Sequence, residues 1–129
     1  MSKSKGYRDL IVYQKAFALA MNIFRITKTF PSEEKYALID QIRRSSRAIC
    51  SCLAEAYRKS YQGYFVNKIS DADGENSETI VWPEFALASD YISQEKFNEQ
   101  EDAEEVGRML NSMIEHPEKF LPKEKLKEL

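Results

Sequence analysis

Apolar residues recur at helical spacing along most of the chain. From residue 9 onward they repeat every three or four positions, which is the period of one face of an α-helix. Short breaks that contain proline, glycine or several polar residues separate four such stretches. The pattern therefore predicts four helices, over about residues 9–29, 35–59, 64–91 and 94–115.

The breaks between these helices carry residues that typically end or begin a helix. Pro31 stops the first helix, and Ser32 is the predicted N-cap of the second. Gly63 marks the next break, and Ser93 is the predicted N-cap of the fourth helix. Because the connections are short, neighbouring helices are expected to run antiparallel. We predict an all-α fold, a single-domain antiparallel up-down four-helix bundle, with a Pro-broken tail at 116–129 that is partly disordered.

The first helix has apolar residues on more of its circumference than one bundle core can cover. Its polar wedge spans only about a third of the circumference at ~100° per residue. A helix of a monomeric bundle needs one apolar face, so the surplus face predicts self-association. One stripe consists of Leu10, Tyr13, Phe17, Ala20, Met21 and Phe24. The second stripe, to which we assign the oligomer interface, consists of Val12, Ala16, Leu19, Ile23 and Ile26.

Three residues in the later helices predict details of packing. Asn76 falls in an apolar stripe of the third helix, so it needs a hydrogen-bond partner inside the bundle. Pro83 removes one intrahelical hydrogen bond and predicts a kink near Thr79. Gly107 is expected to allow a close approach between the fourth helix and its neighbour.

Composition fits one compact domain with an uneven charge distribution. The 129 residues are 43% hydrophobic and 31% charged, and only 4 Gly and 4 Pro argue against an all-β fold. The net charge of −2 is the sum of a basic first half and an acidic second half of the chain. Residues 1–68 contain 13 Lys and Arg against 5 Asp and Glu, whereas residues 69–129 contain 6 against 16. Such polarity indicates either a basic binding surface or two halves that pair their charges.

The second helix carries an arginine-rich face in the stretch "QIRRSSRAICSCLAEAYRKS", residues 41–60. Its arginines project opposite the predicted core face, and small residues among them would let another backbone come close. One interpretation is contact with phosphates, which suit the planar guanidinium group. The other is pairing with Asp71, Asp73, Glu75 and Glu78 of a neighbouring helix, or simple solvation. The candidate nucleic-acid-binding residues are Arg43, Arg44, Arg47, Arg58 and Lys59.

No residue pattern in the chain predicts catalysis, and no cofactor or metal is expected. The one histidine, His116, precedes a proline in the tail, and no Gly-rich phosphate loop is present. The carboxylates of Asp71, Glu75 and Glu78 lack the Glu-x-x-His partner of a bundle metal site. We therefore expect a protein that is not an enzyme.

The remaining features predict a cytoplasmic protein without a membrane partner. No apolar run approaches the ~18 residues of a membrane span, and the basic N-terminus is not followed by a signal segment. Cys50 and Cys52 are two residues apart on a helix and point to nearly opposite sides, so they cannot bond to each other. They are interpreted as small buried thiols.

Four stretches of the chain resemble a known family. They read "YRDLIVYQKAFALAMNIFRITKTFP", "QIRRSSRAICSCLAEAYRKS", "SETIVWPEFALASDYIS" and "EEVGRMLNSMIEHPEKF". Together they resemble the four-helix-bundle proteins encoded within intervening sequences of bacterial 23S ribosomal RNA genes. The resemblance implies an up-down bundle assembled as a ring-like pentamer, with no catalytic activity. It also implies similarity to the accessory protein of diversity-generating retroelements, which binds nucleic acid through a basic surface; the matching basic positions are Arg43, Arg44, Arg47 and Arg58.

Two functions remain open on the sequence alone. The first is a homo-oligomeric bundle that binds structured RNA or DNA through basic side chains without reading its sequence. The second is a protein-interaction scaffold or accessory subunit that makes no direct contact with nucleic acid.

Overall fold

The helical pattern produces five α-helices in the computed structural model, which describes residues 6–59 and 61–121. None of the described residues lies in a β-strand. The helices are α1 (Ile11–Thr27), α2 (Leu38–Ala56), α3 (Gln62–Ala88), α4 (Gln94–Asn98) and α5 (Asp102–Glu115). One-turn 3-10 helices span Gly6–Asp9, Ser32–Glu34 and Pro117–Lys119.

The four long helices form the bundle. Helix α2 packs against α1 on one side and α3 on the other, and α5 also contacts both α1 and α3. Helices α1 and α3 therefore lie diagonally across the bundle from each other. The prediction of an all-α, single-domain four-helix bundle is confirmed.

The predicted helix boundaries hold at one cap and fail at two other places. The Ser93 hydroxyl accepts a hydrogen bond from the Lys96 amide at 3.1 Å, which confirms the predicted N-cap. The helix that follows is nevertheless two helices, because the chain turns at residues 99–101 between α4 and α5. Ser32 does not cap α2, since it begins a separate 3-10 turn. Helix α2 begins later, where the Glu34 carboxylate accepts a hydrogen bond from the Leu38 amide at 3.3 Å.

The core lies where the four long helices meet. Its fully buried side chains alternate along each helix at the spacing that the sequence predicts. Because these side chains leave water together, their burial is the main favourable contribution to folding. The largest cluster consists of Val12, Ala16, Ile49, Leu53, Ala56, Phe65, Ile69, Ala72, Val106, Leu110, Met113 and Leu121.

A buried amide joins α3 to α5. Asn76 is 2% exposed, and its Nδ2 donates a hydrogen bond to the Ala103 carbonyl at 2.8 Å. A Cβ atom added at Gly107 would lie 3.0 Å from the same Nδ2, so the missing side chain makes room for the amide. The predictions of a partner for Asn76 and of a close approach at Gly107 are both confirmed. Pro83 lies buried within α3, which continues past it to Ala88, and the kink stays a prediction.

The first part of the C-terminal tail packs against the bundle. Pro117 and Leu121 are buried, and the Tyr57 hydroxyl donates a hydrogen bond to the Phe120 carbonyl at 3.5 Å. This packing of residues 117–121 is compatible with a partly disordered tail, which stays a prediction. The rest of that prediction falls on residues 122–129, which lie outside the described residues.

Cys50 and Cys52 are both free and half-buried on α2. Burial raises the pKa of the Cys50 thiol to about 11. Burial also raises the pKa of Cys52, and the nearby carboxylates of Asp71 and Glu55 add to the rise. Both thiols are therefore protonated at neutral pH, and they are less buried than the sequence predicted.

Candidate nucleic-acid interface

The second stripe of α1, where surplus apolar surface was expected, is largely buried, whereas Phe17 and Met21 of the first stripe are exposed. Val12, Ala16, Leu19 and Ile23 are at most 5% exposed within a single copy, and Ile26 is half-buried. Four of the five residues assigned to an oligomer interface therefore pack inside a single copy and offer almost no surface to a second one, and the assembly itself stays a prediction. The exposed apolar residues of α1 are Ile11 (62%), Phe17 (51%) and Met21 (37%).

Three cations surround one aromatic ring where α1 meets α2. The Lys28 Nζ lies 4.6 Å from the centroid of the Phe24 ring. The guanidinium carbon lies 4.7 Å from the same centroid in Arg43 and 5.7 Å in Arg47. Each such contact contributes ~0.5–1 kcal/mol at an exposed site. We call Phe24, Lys28, Arg43 and Arg47 the Phe24 cluster.

Arg43 is fixed in this cluster by the last turn of α1. Its Nε donates a hydrogen bond to the Thr27 hydroxyl at 2.8 Å, and its Nη2 donates to the Phe24 carbonyl at 3.4 Å. Thr27 is 1% exposed and donates its own hydroxyl proton to the Ile23 carbonyl at 2.8 Å. The cation thus lies at the C-terminal end of α1, where the helix dipole favours positive charge.

The cations of the Phe24 cluster have no carboxylate partner among the described residues. None of the ion pairs formed within residues 6–59 and 61–121 involves Lys28, Arg43 or Arg47. Within these ranges their positive charge is therefore not neutralised by a direct ion pair, and the C-terminal end of α1 lies beside Arg43. The cluster is a concentrated source of positive potential on the surface.

Arg44 follows Arg43 in the sequence, but carboxylates lie beside its guanidinium group. Its guanidinium nitrogens lie 3.3 Å from a Glu75 oxygen and 2.8 Å from a Glu78 oxygen. Both carboxylates belong to α3, so the alternative of internal pairing holds for this one arginine. Such exposed pairs contribute ~0–1 kcal/mol each to stability.

Arg58 and Lys59 lie apart from the cluster. Both are exposed, and both follow the last residue of α2. Eleven residues separate Arg58 from Arg47, which at 1.5 Å per residue corresponds to roughly 16 Å along the helix. The structure therefore brings together Arg43 and Arg47, pairs Arg44 with carboxylates and leaves these two residues at the far end of α2.

A shallow groove of about 660 Å³ runs over the outer face of α2 beside the Phe24 cluster. Tyr36 is 84% exposed at this groove, and the Lys35 Nζ lies 5.3 Å from the centroid of its ring. We call this depression the α2 groove. Its lining residues are Lys35, Tyr36, Ile39, Asp40, Arg43, Arg44, Arg47, Ala48 and Ser51.

Sequence reasoning missed Lys28, Lys35 and Tyr36. Lys28 and Lys35 lie outside the arginine-rich stretch, and only the packing of α1 against α2 brings them to the same face. Tyr36 did carry a signal, because it is an aromatic residue among charged ones just before α2 and lies outside every apolar stripe. A solvent-exposed aromatic ring beside basic residues is typical of surfaces that stack nucleic-acid bases.

The described residues contain no arrangement of side chains that is typical of a catalytic site. His116 is exposed at the end of α5, with its Nδ1 3.8 Å from the Glu118 carboxylate. No group of three or more His, Cys, Asp or Glu residues within the described chain is arranged to hold a metal ion. Over the same residues, no helix combines the length and apolar character needed to cross a bilayer.

The fold defines a class, the all-α four-helix-bundle proteins, and in this chain two neighbouring helices carry the cationic Phe24 cluster. Within that class, the chain belongs to the family of 23S rRNA-intervening sequence proteins, whose pattern matches residues 8–112. The matched region runs from the start of the bundle into α5, and the resemblance stated from the sequence is confirmed.

One solved structure supports the same relationship. The chain is similar to the crystal structure of a protein with unknown function from the S23 ribosomal protein family of Bacteroides thetaiotaomicron. The two are 29% identical with a TM-score of 0.75, and the match covers 81% of this chain and 96% of that chain. No curated protein matches the chain.

Proposed function

We propose that this protein is a non-enzymatic, homo-oligomeric bundle that binds structured RNA without reading its sequence. The Phe24 cluster and the α2 groove form the contact surface. The observation that carries the proposal is the contrast between Arg44, which two carboxylates neutralise, and the cluster, whose cations have no carboxylate partner among the described residues.

The spacing and chemistry of the surface suit a phosphate backbone. Arg43 and Arg47 are one helical turn apart, which places them ~6 Å apart along α2. Guanidinium groups contact phosphates through two parallel hydrogen bonds, and such contacts carry no base information. Tyr36 adds an exposed ring on which an unpaired base can stack. The family's link to 23S rRNA makes ribosomal RNA the first ligand to test.

Self-association is the second part of the proposal. The exposed residues Phe17 and Met21 lie one helical turn apart and give α1 an apolar outer surface that a further copy can cover. The ring-like pentamer implied by the family resemblance is the expected assembly. A ring would repeat the cationic surface several times, so weak individual contacts with RNA would add up through avidity.

The test is a fluorescence anisotropy titration with a labelled fragment of 23S rRNA at low salt. The combined variant Lys28→Ala, Arg43→Ala, Arg47→Ala should bind about 100-fold more weakly than the wild type, because three phosphate contacts are lost. Its helix content by circular dichroism should stay unchanged. Equal affinity of the folded variant and the wild type would remove the proposed surface.

A protein-interaction scaffold is the second candidate function. It is favoured by the same exposed apolar residues of α1, which are typical of protein contacts. In that case a pull-down would recover a protein partner that survives nuclease treatment. Loss of every partner after nuclease treatment would leave RNA binding as the better account.

A further inference from the structure

The α2 groove contains one carboxylate among its cations. Asp40 lies in the first turn of α2 and lines the groove together with Lys35, Arg43 and Arg47. A carboxylate repels phosphate, so it weakens a surface that contacts only the nucleic-acid backbone. Its presence is explained if the groove also holds a group that donates hydrogen bonds.

The Asp40 carboxylate is not used within the bundle. None of the ion pairs among residues 6–59 and 61–121 involves it. The carboxylates that accept hydrogen bonds within the same ranges are those of Glu34, Glu75 and Glu78. Both oxygens of the exposed Asp40 are therefore available to a ligand.

The two arginines that follow Asp40 on the next turn of α2 are engaged elsewhere. Arg44 lies four residues after Asp40, a spacing at which opposite charges often pair on a helix. Its guanidinium group instead contacts two carboxylates of α3. Arg43, three residues after Asp40, donates to the Thr27 hydroxyl and to a backbone carbonyl. The packing of α2 against its neighbours thus leaves Asp40 unpaired within the described residues.

The Tyr36 ring belongs to the same groove and is carried by a fixed segment. Tyr36 lies between Glu34 and Leu38, and the Glu34 Oε1 accepts a hydrogen bond from the Leu38 amide at 3.3 Å. The Glu34 Oε2 accepts a hydrogen bond from the Tyr91 hydroxyl at 2.7 Å. The segment is tied to α2 and to the residues after α3, while the Tyr36 side chain stays 84% exposed. A base would therefore meet an aromatic face that is already in place.

We propose that the α2 groove holds one unpaired guanine nucleotide of the RNA. The Tyr36 ring stacks on the base, and Asp40 accepts hydrogen bonds from its Watson–Crick edge. Arg43 and Arg47 contact the phosphates. The proposal deepens the proposed function, on which it rests, by naming the nucleotide that the surface accepts. The phosphate contacts still read no sequence, and the selectivity is confined to this one base.

Guanine is the base whose edge fits a carboxylate. Its N1–H and its N2 amino group are adjacent donors, which the two oxygens of a carboxylate accept together. On the same edge of adenine and cytosine, a ring nitrogen that accepts lies beside a single amino group. Uracil places one N–H between two carbonyl oxygens. Each of these three bases brings an acceptor against the carboxylate and is disfavoured.

Five RNA hairpins with one stem sequence test the proposal by anisotropy titration at a single low salt concentration. Four of them carry one bulged nucleotide, G, A, C or U, and the fifth is fully paired. The wild type should bind the hairpin with bulged G about tenfold more tightly than each of the other three bulged hairpins, as one good two-bond contact to a base provides.

The variant Asp40→Asn separates base recognition from charge. It keeps the size of the side chain and replaces one acceptor oxygen by an amide donor. The preference for bulged G should fall below about twofold, whereas affinity for the other hairpins should rise about twofold because a negative charge is gone. The matched control Glu33→Gln removes the same charge at an exposed position outside the groove and should keep the wild-type preference.

Two variants of Tyr36 test the stacking contact. Tyr36→Ala should weaken binding of the G hairpin about tenfold, and Tyr36→Phe should keep the wild-type affinity, because stacking needs the ring and not the hydroxyl. Both variants should keep the wild-type helix content by circular dichroism, since the side chain is exposed. Equal losses in the two variants would contradict stacking.

Competition with free GMP and AMP decides whether the nucleotide has to be part of an RNA chain. Displacement of the labelled G hairpin by GMP and not by AMP supports the guanine site and extends it to free nucleotides. No displacement by either, together with the preference among the bulges, supports a site for RNA alone. Equal displacement by both would overturn the selectivity for guanine.

Equal affinity of the wild type for the four bulged hairpins overturns the proposal, and so does a preference for G that survives in Asp40→Asn. If all five hairpins bind equally, the RNA surface of the proposed function stands without the base site. If the wild type binds none of them, the proposed function is wrong as well.

Discussion

Two neighbouring arginines of α2 bridge two different helix contacts. We call the contact of α2 with α1 the α1 seam and the contact of α2 with α3 the α3 seam. The two seams differ in charge. At the seam with α1, Arg43 contacts the Phe24 ring, the Thr27 hydroxyl and a backbone carbonyl, all of which are uncharged. At the seam with α3, Arg44 contacts two carboxylates. Folding therefore neutralises the uneven charge distribution of the sequence only in part. Pairing between the halves of the chain is observed at the α3 seam, while the α1 seam keeps its positive charge.

The largest expected difference between the seams is in RNA affinity. Arg47→Ala removes an unpaired cation, so RNA binding should weaken about tenfold at low salt. Arg44→Ala is the matched control, because it removes an arginine whose charge Glu75 and Glu78 already offset, and its effect should stay below about threefold. Anisotropy titrations of both variants measure the contrast, and equal losses would contradict it.

The next largest difference is in stability at the α1 seam. Thr27→Val keeps the shape of a buried side chain and removes the hydroxyl that accepts from Arg43 and donates to Ile23. The free energy of unfolding should fall by about 1–2 kcal/mol, because the hydrogen bonds of a buried group are lost. Urea unfolding measures this change.

The matched control at this seam is Thr29→Val. Its hydroxyl also donates to a backbone carbonyl, that of Ile26 at 2.7 Å, but the side chain is exposed. Its effect on stability should be within about 0.5 kcal/mol. Similar losses for Thr27→Val and Thr29→Val would show that the buried contact with Arg43 contributes nothing.

At the α3 seam, removal of the carboxylates should affect stability and binding in opposite directions. The double variant Glu75→Gln, Glu78→Gln should lose less than about 1 kcal/mol, because the pairs with Arg44 are exposed. Its RNA affinity should rise about threefold, since Arg44 becomes an unpaired cation. Unfolding and anisotropy measurements on one preparation check both changes, and unchanged or weaker binding would contradict the role given to pairing.

The smallest expected contrast concerns the two cysteines. Cys50 lies near Tyr13 of α1, and burial alone raises its pKa to about 11. The pKa of Cys52 is raised by burial first and then by the carboxylates of Asp71, Glu55 and Glu75. Salt screens the carboxylates and lowers the pKa of Cys52 towards its usual value, so more thiolate forms at a given pH.

Thiol alkylation at pH 8.5 measures this effect. In a Cys50→Ala variant, 0.5 M salt should speed the reaction of Cys52 by less than about twofold. In a Cys52→Ala variant, salt should leave the rate of Cys50 unchanged. Equal salt effects on both thiols would mean that the carboxylates of the α3 seam do not act on Cys52.

The fold was largely predictable because helical periodicity determines which residues can be buried together. Asn76 and Gly107 show that even a buried contact between helices could be anticipated, since a polar residue in an apolar stripe needs a partner. The turn at residues 99–101 was missed because polar residues on both sides of it give no break in the pattern.

The site was less predictable because it depends on which helices become neighbours. Both stripes of α1 are apolar, so the sequence alone cannot decide which one faces the bundle. The neighbours of α1 bury Val12 and Leu19 and leave Phe17 exposed. Likewise, Phe24 and Arg43 are separated by a loop and a 3-10 turn, and only the packing of α2 against α1 brings them together. The sequence did not decide whether the arginines pair with carboxylates. In the structure Arg44 pairs with Glu75 and Glu78, whereas Arg43 contacts only uncharged groups among the described residues.

The salt dependence of RNA binding shows whether the Phe24 cluster contacts phosphates. For each phosphate neutralised, the slope of log affinity against log salt changes by about 0.7–0.9. We expect the slope of the combined variant Lys28→Ala, Arg43→Ala, Arg47→Ala to be smaller than that of the wild type by about 2, because three phosphate contacts are lost. Arg44→Ala should keep the wild-type slope. Identical slopes for all three proteins, or a wild type that does not bind RNA at low salt, would contradict this role of the cluster.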